Sequence, residues 1–117
     1  MSGDITFEEL SGKKDSFKII DVRNPGELES EGHIPGAHNI PMPELEEALK
    51  LDNESFSAKY GFGKPEAGDT VVTHCQKGAR ARKAGDLVAS TGLTVRVYAG
   101  SFDDWKAKGG EIAKGKP

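Results

Sequence analysis

The chain is poor in the residues that staple, anchor or metallate a protein. Cys75 is its only cysteine, so no internal disulfide can form and no cysteine-rich metal site can be built. The three histidines, His33, His38 and His74, share no ligand-like spacing with one another or with Cys75, and neither a metal nor another cofactor is expected. No apolar run approaches the ~20 residues that span a bilayer, which argues against a membrane partner. Basic residues are not in excess either. Sixteen Lys and Arg stand against nineteen Asp and Glu, a formal charge of −3 with both signs interspersed, whereas a nucleic-acid binder needs a basic face. Met1-Ser2-Gly3-Asp4 has neither the basic nor the apolar region of a secretory signal. Ser2 replaces the glycine that myristoylation uses, and no CaaX box ends the chain. The expectation is a cytoplasmic protein, in which the sequon Asn53-Glu54-Ser55 is fortuitous.

What is present fits one domain over residues 1–117, with a Gly- and Lys-rich tail, about 109–117, expected to fray. Strand-like and helix-like segments alternate, the pattern of an α/β domain with a mostly parallel sheet flanked by helices on both faces. Strands are predicted at 17–22, 38–40, 70–74 and 93–98. Thr6 and Glu9 form a capping box for a helix ending before Gly12. Further helices are predicted after Asn24-Pro25-Gly26 to about Ser30, from Pro43 to Leu51, and from Ser55 to a stop at Gly61. Another covers 79–90 with Gly92 as its C-cap. The last runs from Ser101 as N-cap through Lys108.

The informative position is Cys75. It follows a buried strand and opens the loop Cys75-Gln76-Lys77-Gly78-Ala79-Arg80, which leads straight into a helix. Ligands bind beyond the carboxyl ends of parallel strands, and a helix N-terminus presents unpaired N–H groups that favour an anion. A cysteine there is expected as a reactive thiolate, with Lys77, Arg80 and Arg82 adding positive charge. A lone buried cysteine is more often a small core residue than a nucleophile. Core packing, however, calls for neither cations nor a glycine beside it.

These residues carry a resemblance. Cys75-Gln76-Lys77-Gly78-Ala79-Arg80 resembles the Cys-x-x-Gly-x-Arg active loop of single-domain rhodaneses, a sulfurtransferase family. His33-Ile34-Pro35-Gly36-Ala37 is similar to the family's first signature, with Glu29 where an aromatic residue is common. Val95 to Trp105 resembles the second, with Asp104 in place of the usual glutamate, and Asp21-Val22-Arg23 matches the first-strand ending. Within the family the chain is most similar to the small thiosulfate:glutathione sulfurtransferases of animals. The resemblance implies a rhodanese-like fold and sulfur transfer through a Cys75 persulfide. It implies thiosulfate as donor and a thiol acceptor such as glutathione or thioredoxin, with Gln76, Lys77, Gly78, Ala79 and Arg80 as the binding loop.

Two other functions compete with this one. A non-turnover persulfide carrier or binding module would use the same loop to dock a protein. A phosphatase or arsenate reductase would need an arginine six positions after the cysteine, where Ala81 stands. Asp21 and Arg23 are expected mainly as a structural pair near the loop. Trp105 is expected to pack the last helix on the sheet, with lining of the substrate mouth as the lesser alternative. His33 and His74 are assigned to turn and strand-end roles, not to base catalysis.

Overall fold

The computed structural model describes residues 2–115 and 117. Among them five strands form one parallel sheet: β1 (Ser2–Asp4), β2 (Lys18–Asp21), β3 (His38–Asn39), β4 (Thr70–His74) and β5 (Thr94–Val97), in the spatial order β1-β5-β4-β2-β3. The helices are α1 (Phe7–Lys13), α2 (Pro25–Glu31), α3 (Met42–Ala48), α4 (Asn53–Tyr60), α5 (Ala79–Ala89) and α6 (Ser101–Ala107), with a short 3₁₀ turn at Lys14–Ser16. This is the expected α/β architecture. No helix among the described residues is long and apolar enough to cross a membrane.

The pleat divides the core in two, because alternate strand residues face opposite sides. Ile20, Val71, Val95 and Val97 join Leu45, Phe56, Ala84 and Val88 under α3, α4 and α5. Ile19 and Val72 join Leu10, Tyr98, Phe102 and Trp105 under α1 and α6. Helices therefore cover both faces. Gly85 lets α5 lie close on the sheet, since a Cβ there would meet Val97 at 2.5 Å.

Several boundaries differ from the sequence expectations for identifiable reasons. The Thr6–Glu9 capping box is present, but α1 continues through Gly12 to Lys13. Asn24 caps α2 through a second capping box with Glu27, and Pro25 takes the first turn, where a missing N–H costs nothing. Asp52, not Ser55, begins α4 by accepting the Ser55 N–H, and Gly61 ends it in the left-handed region. α5 ends at Ala89 with Ser90, not Gly92, as its C-cap, and Gly92 lies in the turn beyond it. β1 went unforeseen because Ser2-Gly3-Asp4 has no β-branched residue; its pairing with β5 makes it a strand. The tail expected to fray is docked at Ala113, which exchanges both backbone hydrogen bonds with His33 at 2.9 Å.

Candidate active site

β4 delivers Cys75 to the carboxyl edge of the sheet, and α5 begins four residues later. Between them, α6 decides which way the loop's peptides face. The N–H of Phe102 donates to the Cys75 carbonyl and that of Asp103 to the Gln76 carbonyl, both at 3.0 Å. The first amides of α6, orphaned like those of every helix, are thus satisfied by the loop. In a planar trans peptide N–H and C=O point opposite ways, so the N–H groups of Gln76 and Lys77 are turned away from α6. Among the described residues, the N–H groups of Gln76, Lys77, Ala79 and Arg80 meet no backbone or side-chain acceptor. The Gly78 N–H does: it donates to the Cys75 Sγ at 3.0 Å.

Gly78 is required twice. Its φ of +117° is a conformation L side chains avoid, and a Cβ would lie 2.2 Å from the Ala99 carbonyl oxygen. Ser101, expected as an N-cap, does something else. It adopts φ +58°, accepts the Cys75 N–H at 3.1 Å, donates to the Tyr98 carbonyl at 2.8 Å, and lies 3.7 Å from Sγ. No side-chain cap is present on α6, because the loop carbonyls already hold its amides.

Cys75 is 1% exposed and belongs to the larger apolar cluster. It nevertheless forms a wall of a cavity of about 300 Å³ together with Glu27, Gln76, Lys77, Ala79 and Arg80. A second, larger cavity of about 540 Å³ lies between α2, β3, α4 and the tail, and Cys75 is not in its wall. The loop residues named from sequence therefore converge. Lys77 is exposed at the rim, with no ion pair among the described residues.

Arg23 is fully buried behind the loop. Its guanidinium grips Asp21 through Nη2 at 2.7 Å and Nε at 3.0 Å, donates to Gln76 Oε1 at 2.9 Å and to the Gly32 carbonyl at 2.9 Å, and stacks 4.2 Å over Phe102. The Gln76 amide nitrogen donates to Asp103 and, at 3.3 Å, to Glu31. The Gln76 side chain is accordingly a loop tether, and the residue also borders the cavity. His74 is also buried, with Nδ1 3.1 Å from the Cys75 carbonyl and Nε2 3.6 Å from Asp21. Burial holds His74 below the usual histidine range despite the Asp21 charge, and burial does the same to His33.

Two sequence-named residues lie elsewhere. Arg82 does not join the cradle. Two positions along a helix of 3.6 residues per turn rotate it about 200° from Arg80, and it pairs with Asp4 at 3.0 Å on the surface. Trp105 does not line the mouth: it packs edge-on to Phe7 at 5.1 Å and donates its indole N–H to the Glu111 carbonyl. The residue that sequence reasoning missed is Glu27, which holds Arg80 through two hydrogen bonds of 2.7 and 3.0 Å. Its only sequence signal was the capping-box spacing from Asn24.

A family model for the rhodanese-like domain matches residues 6–108. The chain is 42% identical over 93 residues to the human thiosulfate:glutathione sulfurtransferase, covering 78% of this chain and 80% of that one. It is 41% identical over 94 residues to a putative mitochondrial thiosulfate sulfurtransferase of Schizosaccharomyces pombe, covering 80% and 66%. A solved human single-domain sulfurtransferase superposes with a TM-score of 0.84 at 38% identity, covering 90% of this chain and 96% of that one.

Proposed function

The chain belongs to the rhodanese family, and from that premise we propose that it moves sulfane sulfur from thiosulfate to a thiol through a persulfide on Cys75. The observation that carries this reading is the loop itself: Sγ accepts the Gly78 N–H at 3.0 Å, and the Gln76 and Lys77 amides, whose peptide carbonyls are held by α6, belong to residues that border the same cavity. In the first step the Cys75 thiolate attacks the outer sulfur of thiosulfate. The new S–S bond forms as the bond to the sulfonate sulfur breaks, and sulfite leaves with that electron pair. The resulting persulfide carries its charge on the terminal sulfur, where the loop amides stabilise it as an oxyanion hole would. A thiolate acceptor then attacks the terminal sulfur and Cys75 leaves as a thiolate. Charge balances in both steps, and neither needs a general acid or base.

Glutathione is the proposed acceptor, supported by the likeness to the human thiosulfate:glutathione sulfurtransferase. The proposed compartment is the cytoplasm, where thiols are kept reduced; the fission-yeast relative has a mitochondrial name, and cell fractionation separates the two. Residues 1–117 act as one domain in this reading. The test is rapid mixing with thiosulfate alone. The expected result is release of about one sulfite per chain and a mass increase of one sulfur atom, which glutathione discharges. Cys75→Ser abolishes both. Sulfite release retained in that variant removes Cys75 as nucleophile, and a persulfide that glutathione cannot discharge replaces the enzyme with a carrier.

A further inference from the structure

An anion-binding cavity has little use for a carboxylate in its own wall, yet Glu27 is there. It is placed by α2: its Oε1 accepts the Asn24 N–H at 3.0 Å, closing the capping box. The same carboxylate spans both terminal nitrogens of Arg80. With a Cys75 thiolate, Glu27, Lys77 and Arg80 around the cavity, the formal charges cancel. The guanidinium best placed to meet an incoming anion is already occupied by a tethered one. The pair is only partly buried, with side chains 34% and 28% exposed, and ion pairs so open to water exchange partners at little cost.

We propose that Glu27 is an internal anion that competes with the sulfur donor for Arg80 and so sets the cavity's charge selectivity and the donor's KM. The inference rests on the thiosulfate-to-thiol reading only for the identity of the donor. An arriving dianion displaces the Glu27 carboxylate from Arg80, which swings to the donor's sulfonate oxygens without any covalent change. Once sulfite has left, Glu27 takes Arg80 back and the cavity again discourages anions. This restoration favours product release and disfavours return of sulfite to the persulfide. Glu27 thereby raises KM for the donor while leaving the attack at Cys75 to the amides. The direction in which Arg80 holds the Glu27 carboxyl, below the ordinary carboxylate range, keeps this competitor charged at neutral pH.

The test reads charge selectivity at Cys75 itself. Wild type and Glu27→Gln are alkylated with iodoacetate and with iodoacetamide, and modification is followed by intact mass. Glutamine at this position preserves the capping box, so the fold is retained. Removing one negative charge from the rim should raise the iodoacetate-to-iodoacetamide rate ratio about threefold to tenfold. In turnover, KM for thiosulfate should fall by a similar factor while kcat stays within about twofold. Glu27→Asp, which keeps the charge, should stay near the wild-type ratio. Glu29→Gln removes the same charge from the exposed side of α2 and should change nothing. An unchanged ratio in Glu27→Gln, or an equal rise in Glu29→Gln, overturns the proposal. Failure of both reagents to reach Cys75 overturns it as well, because the rim would then not stand on the path to the thiol. A raised ratio with no fall in thiosulfate KM leaves Glu27 as the selectivity device and removes thiosulfate as the donor.

Discussion

Two arginines each hold a carboxylate through two guanidinium nitrogens, one behind the active loop and one at its rim, and they sit in different media. Arg23 and Asp21 are both 0% exposed, and every polar direction around Arg23 ends on a fixed partner: Asp21, Gln76 and the Gly32 carbonyl. Arg80 and Glu27 are about one-third exposed and border the open cavity beside Cys75. The pair chemistry is the same and the consequence of breaking it is opposite. Behind the loop, loss of one partner strands a charge in a medium that cannot solvate it. At the rim, water or a substrate anion substitutes at once. Burial makes the first pair scaffold and the second pair selectivity.

The largest effect that sharpens this contrast is on Arg23. Arg23→Met keeps most of the volume but leaves the buried Asp21 carboxylate and the Gln76 side-chain oxygen without their main donor. A loss of about 3–5 kcal/mol in urea denaturation is expected. Adding Asp21→Asn should recover part of it, since the stranded charge is removed. A stability loss no larger than that of Glu27→Gln would break the comparison.

That contrast also explains what could be read from the sequence. The loop, β2, β4, β5 and α5 were legible because apolar runs, a glycine and the helix period lie within a few residues of one another. Asp21 and Arg23 were recognisable as a pair for the same reason. Glu27 was not, because its partner lies 53 positions away and only the stacking of α2 beside the loop brings them together. Arg82 was assigned to the cradle by proximity in sequence, and helical rotation sends it to the far side. Ser101 has the composition of a cap. What diverts it is α6 donating to loop carbonyls, a long-range fact that no local pattern carries. The dock of Ala113 on His33 was hidden likewise, since Gly- and Lys-rich composition describes a tail without its landing place.

The region behind the loop should also sense pH, to a smaller extent than it senses Arg23. Burial lowers His74 in the folded state; Arg23 and His33 reinforce this, and Asp21 opposes it. Between that lowered value and the unfolded value of about 6.5 the unfolded chain binds more protons. Stability is therefore full above about pH 6.5 and declines as pH falls below it, by at most about 1.4 kcal/mol per pH unit for this one group. His74→Gln should flatten the slope of folding free energy between pH 6.5 and 5. An identical slope in the variant would assign the decline to other groups. The rim should show no such feature, because Glu27 remains ionised throughout that interval.

The smallest expected effect belongs to a third arginine and fixes what the other two mean. Arg82 is two residues from Arg80 and makes the same two-nitrogen grip, on Asp4 at 3.0 and 3.2 Å, but its side chain is 51% exposed and its partner's 60%. It neither strands a buried charge nor borders the cavity. Exposed pairs of this kind contribute little to stability and are screened by salt. Arg82→Gln should leave the urea midpoint unchanged within error, and kcat/KM for thiosulfate within about twofold at physiological ionic strength, where a surface charge acts over a Debye length of about 8 Å. If Arg82→Gln instead raised KM for thiosulfate, the cavity would be responding to the summed charge of α5. Position at the rim would then no longer distinguish Arg80, and the Glu27 pairing would lose its meaning as a local competitor.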